Sequence, residues 1–116
     1  MPSILIIEND PIIAETIRYQ LDRAGYQIIG VENDCWEALY NIRRDHSGLD
    51  IVLLTYSPKT QKEHIWLSQV ISFLYPTKVL LLSSCRNTKL LEENSFVLHK
   101  PFTNIQLEES LQKILT

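Results

Sequence analysis

The chain has 116 residues, enough for one single-core domain and too few for a second. Its formal net charge of −3 gives no support to electrostatic binding of nucleic acid, which would want a basic face. No stretch reaches the roughly 18 apolar residues of a membrane span, and the first residues lack the basic run and cleavage site of a signal peptide, so a cytoplasmic location is expected.

Cys35 and Cys85 have no CxxC spacing and no matching His pair. That pattern predicts two reduced, free thiols rather than a zinc site.

In chain order, residues 3–7 (SILII) are a short apolar run that reads as a buried strand. The run ends in Glu8, Asn9, Asp10 and Pro11. Asp10 before Pro11 predicts a helix start, with a capping carboxylate followed by proline at the first helical position. Ile13, Ile17, Leu21 and Ala24 recur at helical spacing, and Gly25 follows where a left-handed residue is expected. Residues 26–31 (YQIIGV) read as a strand. Asn33 or Asp34 then caps a helix through Arg44, with Cys35, Ala38, Leu39 and Ile42 on one side.

His46, Ser47 and Gly48 turn the chain into residues 49–58, LDIVLLTYSP. The unbroken apolar run 51–54 predicts the central strand of a parallel sheet, buried on both faces. Thr55 is the first polar residue beyond it. It is expected to point into any site at the strand ends, because ligands of open α/β sheets bind there.

A polar stretch, residues 59–63, precedes a helix through Leu74 that turns Leu67, Val70, Ile71 and Leu74 inward. Tyr75 and Pro76 end it. Residues 78–82 (KVLLL) predict a fourth strand, ending in Ser83 and Ser84. Residues 87–93 allow at most two helical turns. Residues 96–99 are the fifth strand, followed by Lys100, Pro101 and Phe102. Thr103 or Asn104 caps a last helix with Leu107, Leu111 and Ile114 on one face.

Strands alternating with helices imply a three-layer α/β sandwich around a parallel sheet. For a chain of this length the doubly wound, flavodoxin-like strand order 2-1-3-4-5 fits, as a single domain over 1–116 with a shortened fourth helix. Its switch point lies between the first and third strands. That puts Glu8, Asn9 and Asp10 beside Thr55, with Ser83 and Lys100 entering from neighbouring strand ends.

The ordered set ILIIENDP (4–11), LDIVLLT (49–55), VLLLSS (79–84) and HKPF (99–102) resembles the receiver domain of bacterial two-component response regulators, CheY-like, over the whole chain. The resemblance implies an acidic pair for Mg2+ at Glu8 and Asn9, a phosphoacceptor at Thr55, a phosphoryl-binding hydroxyl at Ser83, and a phosphoryl-binding lysine at Lys100 followed by Pro101 in a cis peptide.

Two positions depart from that pattern. Thr55 has no carboxylate, and a hydroxyl would need a general base to attack phosphorus. Asn9 removes a metal-facing charge, and Asp10 is committed to capping, so Glu8 is left as the carboxylate aimed at the metal and Mg2+ binding is expected to be weak or lost.

A third departure is length. Between Ser83 and Lys100 the chain is shorter than in receivers, and the aromatic position three before the lysine is Val97, with Phe96 facing the other way. The expected function is a pseudo-receiver, not an enzyme, that keeps the fold, lacks aspartyl phosphorylation and needs no cofactor. It would bind a protein partner such as a histidine kinase, with no nucleic acid and no membrane, as monomer or homodimer. The alternative is a small enzyme or nucleotide-binding protein on the same fold, although no Gly-rich loop follows the first strand.

Plainer roles are also expected. Lys100 pairs with Glu8. His46 and His64 stand alone with no ligand spacing. His99 faces away from the site. Trp36 and Trp66 pack along apolar helix faces, and an exposed tryptophan would mark a partner surface. Arg43 and Arg44 end a helix where cations suit the dipole.

Overall fold

The computed structural model describes residues 2–44, 48–56, 61–84 and 96–116. Among them the chain forms β1 (Ser3–Ile7), α1 (Pro11–Arg23), β2 (Gln27–Glu32), α2 (Cys35–Arg44), β3 (Ile51–Tyr56), α3 (Gln61–Leu74), β4 (Lys78–Ser83), β5 (Phe96–His99) and α4 (Asn104–Leu115). The five strands are all parallel and run in the order β2-β1-β3-β4-β5. The expected shortened helix at 87–93 lies outside the described residues, so α4 is the C-terminal helix.

The sheet is built on its middle. Ile4 to Ile7 of β1 pair in register with Ile51 to Leu54 of β3, and all six residues of β3 pair with β4. Every β3 side chain is buried. Alternation divides them: Val52, Leu54 and Tyr56 join Leu5 and Ile7 under α2 and α3, whereas Ile51 and Leu53 join Ile4 and Ile6 under α1 and α4. Two hydrophobic layers therefore share one sheet.

The strand outlasts its apolar run by two residues. Thr55 and Tyr56 pair with Leu82 and Ser83, and the Ser84 N–H donates to the Tyr56 carbonyl at 3.2 Å. Tyr56 is held there by packing into the α2–α3 layer.

Local signals set the helix starts. The Asp10 carboxylate accepts from the Ile12 and Ile13 N–H groups at 2.9 and 3.4 Å, with Pro11 in the first turn. Asp34 accepts from the Trp36 N–H at 3.2 Å. Thr103 and Gln106 form a reciprocal capping box on α4. Gly25 follows α1 at φ +96°, a conformation that favours glycine.

The inward face of α3 differs from the expected one. His64, Leu67, Ser68 and Ile71 are buried, whereas Leu74 is exposed and Val70 only half-buried. The spacing is the predicted i, i+3, i+4, i+7, but the set is moved three residues toward the N-terminus. Apolarity misreads this helix because two of its inward residues are polar with internal partners. Ser68 Oγ donates to the Ile65 carbonyl at 2.8 Å, and the His64 ring is bonded to the Thr55 carbonyl. In α1, likewise, Ala14 takes the inward position beside Ile17 and Leu21, and Ile13 is exposed.

The two-faced burial of β3 predicts where substitutions hurt. Leu54→Ala opens a cavity and should lower stability by about 2–5 kcal/mol. Phe73→Ala, on the outer side of α3 and 88 % exposed, should change it by less than about 0.5 kcal/mol. Urea denaturation followed by circular dichroism measures both.

Candidate functional site

The parallel arrangement brings the carboxyl ends of β1, β3, β4 and β5 to one edge of the sheet. Glu8, Asn9 and Asp10 leave β1 there. Thr55 lies near the end of β3, Ser83 ends β4, and Lys100 and Pro101 follow β5. All seven residues singled out in the sequence therefore share this edge, and their side chains do different things.

Glu8 is pinned by its backbone, whose N–H continues the sheet by donating to the Glu32 carbonyl at 2.9 Å. Only 5 % of the residue is exposed, so a carboxylate is held at the edge of the core. Asn9 is exposed. Asp10 is engaged as the α1 cap.

Thr55 is 7 % exposed, and its Oγ1 donates to the Ile7 carbonyl at 3.1 Å. The hydroxyl proton thus bonds sideways to the end of β1. Thr55 is a strand residue tied to its neighbour strand, rather than the first residue beyond the strand.

Ser83 is fully buried, and its carbonyl accepts from the Lys100 N–H at 2.8 Å. The Lys100–Pro101 peptide is cis. Val97 packs into the α2–α3 layer while Leu98 packs into the other, so β5 alternates as its sequence predicts.

The expected Glu8–Lys100 ion pair is not formed. Among the described residues the ion pair within 4.0 Å is Arg18–Glu15, on the surface of α1. The sheet order supplies the reason: β4 and β3 separate β5 from β1, a span of about 14 Å at the usual strand spacing.

His64, which the sequence leaves standing alone, has a partner in the fold. It reaches back from α3 and is 3 % exposed. A carbonyl can only accept, so its Nδ1 carries the proton donated to the Thr55 carbonyl, which leaves Nε2 as the unprotonated nitrogen of the neutral ring. Burial lowers its pKa from the ordinary 6.5, opposed by the Thr55 bond and by the charges of Glu63 and Glu8. The ring is therefore neutral at pH 7. Its nine-residue separation from Thr55 matches no ligand motif, and only the crossing of α3 over β3 reveals it.

Cys35 lies beneath the same edge, with Sγ 3.6 Å from Glu63 Oε2. Burial, reinforced by the Glu63 charge, pushes the thiol up to about 11. It is a buried, protonated, unreactive cysteine. Cys85 lies outside the described residues.

Mg2+ asks for one or two carboxylates plus phosphate and water. Here Glu8 is the carboxylate not already committed, Asn9 and Thr55 carry no charge, and among the described residues no three His, Cys, Asp or Glu side chains converge.

The buried imidazole predicts a pH dependence. A depressed folded pKa means that below about pH 6.5 the unfolded chain binds more protons than the folded one. The stability linked to His64 is thus complete above that pH and is lost as the pH falls through the lower folded value. Urea midpoints should drop from pH 7.5 to pH 5.5. His64→Asn, which keeps a donor for the Thr55 carbonyl without titrating, should flatten the drop.

No protein-family model matches the sequence, and no curated protein matches it either. Solved structures do. A response regulator receiver domain from Clostridium thermocellum aligns with a TM-score of 0.85 at 20 % identity, over 99 % of this chain and 94 % of that one. A CheY-like response regulator receiver domain from Methylobacillus flagellatus aligns at 0.78 and 25 %, over 98 % of both chains. A CheX–CheY complex with BeF3 and Mg2+ from Borrelia burgdorferi aligns at 0.84 and 17 %, over 99 % of this chain and 90 % of that one. The fold of this chain is the CheY-like fold of response regulator receiver domains.

Proposed function

We propose that this domain is a pseudo-receiver of two-component or phosphorelay signalling, working by protein–protein interaction without aspartyl phosphorylation. The observation that carries the reading is the acceptor position. At the end of β3, where the family places an aspartate, stands Thr55, buried and with its hydroxyl donating to the Ile7 carbonyl. A carboxylate attacks phosphorus with an oxygen that has no proton to lose. A hydroxyl needs a base to remove one. The buried imidazole nearby is bonded to the Thr55 backbone carbonyl through Nδ1.

The metal half of the site supports the same conclusion. With Asn9 neutral and Asp10 occupied by the α1 backbone, the single carboxylate of Glu8 would hold Mg2+ weakly or not at all.

The rim of the site suits a protein partner. Ile12 lies in the first turn of α1 and Ile105 in the first turn of α4, both at the carboxyl edge of the sheet, and both are exposed. Apolar side chains left in water beside a polar edge mark an interaction surface. The Borrelia burgdorferi neighbour is a receiver-fold protein in complex with another protein. A small-enzyme or nucleotide-binding reading would need a cavity at the strand ends. The cavity of 590 Å³ along the outer side of α3 is lined by Trp66, Val70, Phe73 and their neighbours, and none of Glu8, Thr55, Ser83 or Lys100 lines it.

Incubation with acetyl phosphate and Mg2+ should leave the intact mass unchanged. An acid- and base-labile gain of one phosphoryl group would overturn the reading. The double change Thr55→Asp, Asn9→Asp restores the two missing carboxylates and should bring back Mg2+ binding, measured by titration calorimetry, where the wild type shows little heat.

A further inference from the structure

Five residues of α2 share the face turned away from the core. At 100° per residue, Trp36, Glu37, Tyr40, Arg43 and Arg44 fall within about 120° of arc. The buried residues Cys35, Ala38 and Ile42 lie opposite them. All five are exposed, Trp36 at 58 % and Tyr40 at 63 %.

Large rings at i and i+4 on an outer face are out of keeping with a merely solvated helix side, which carries polar groups. The rings are also organised. Trp36 meets Trp66 of α3 at 4.9 Å between centroids, and the Arg44 guanidinium lies 5.8 Å from the Tyr40 ring centre.

The order of charges along the helix points to the occupant. Glu37 lies one turn before Tyr40, and Arg43 and Arg44 lie one turn after it. A reversed copy of the same face presents the complementary order. We propose that the outer face of α2 is a two-fold self-association surface, on which a second copy of this chain docks its own α2 antiparallel with Tyr40 near the axis.

The pairing follows from helix geometry. In an antiparallel two-fold contact, residues at equal heights on either side of the axis meet when they lie on the same flank of the face. Glu37 and Arg44 share one flank, about 4.5 Å before and about 6 Å after Tyr40. Trp36 and Arg43 share the other flank at about the same heights reversed. Each Glu37 therefore meets Arg44 of the second copy, and each Trp36 meets Arg43 of the second copy. Two ion pairs and two cation–π contacts result, flanking a pair of tyrosines. A parallel two-fold contact would instead bring opposite flanks together at equal height, setting Glu37 against Trp36 and Arg44 against Arg43, so that arginine meets arginine and Glu37 finds no cation. The aromatic centre with a charged border has the anatomy of a protein interface.

This surface lies on the sheet face opposite α1 and α4, and the proposal stands whether or not the domain accepts phosphate. Sedimentation velocity over a concentration series tests it on the whole chain. The wild type should show a monomer–dimer equilibrium. Glu37→Arg and Arg44→Glu should each weaken the dimer by about tenfold, and the two together should restore it. These residues are exposed in the monomer, and circular dichroism verifies that each variant is folded. A wild type that stays monomeric throughout, which leaves the face to a different protein, overturns the proposal. So does a dimer indifferent to either reversal, or a double exchange without rescue.

Discussion

The pairing of β1 with β3 is the contact on which the rest depends. Ile4 to Ile7 and Ile51 to Leu54 form the centre of the sheet, and neither strand leaves an apolar side chain in water. Because both faces of this pair are covered, helices must pack on both sides, and the chain must cross over after each strand. Those crossovers bring every loop of interest to the carboxyl edge. The site exists because two short apolar strands had to be buried twice.

The same pairing constrains what Thr55 can do. A side chain one residue past Leu54 in a strand that is still pairing has its place set by the sheet. The nearby backbone acceptor is the carbonyl that ends β1, and the hydroxyl takes it. The polar edge is knit by neutral bonds, from Thr55 to Ile7, His64 to Thr55 and Lys100 to Ser83.

The sheet and its order were legible in the sequence because buried parallel strands are written as short apolar runs, and each ends in a polar or turn residue. The Asp10–Pro11 and Thr103 caps were legible for a similarly local reason, since a cap acts within one turn. What escaped were features that depend on tertiary partners. The register of α3 was misread because His64 and Ser68 are buried by virtue of their hydrogen bonds, which apolarity does not encode. The end of β3 was placed early because Thr55 and Tyr56 continue the strand through pairing with Leu82 and Ser83. Glu8 and Lys100 match in charge, but two strands stand between them and the pair does not form. Site positions could thus be named from order and spacing, while the bonds those side chains make required the fold.

Both tryptophans of the chain sit in one pair, Trp36 against Trp66, joining α2 to α3 near the carboxyl edge. Tryptophan emission, excited beyond the tyrosine band, is therefore the signal of a single place. It is blind to α1, α4 and the far end of the sheet, and most responsive to the spacing of two helices that flank the site. A change in emission on adding a binding partner would locate that partner, or its effect, on one side of the molecule before any complex is solved. The same coincidence means that unfolding followed by fluorescence alone would follow the α2–α3 layer, so agreement with a backbone signal becomes a direct measure of how cooperatively the two hydrophobic layers melt.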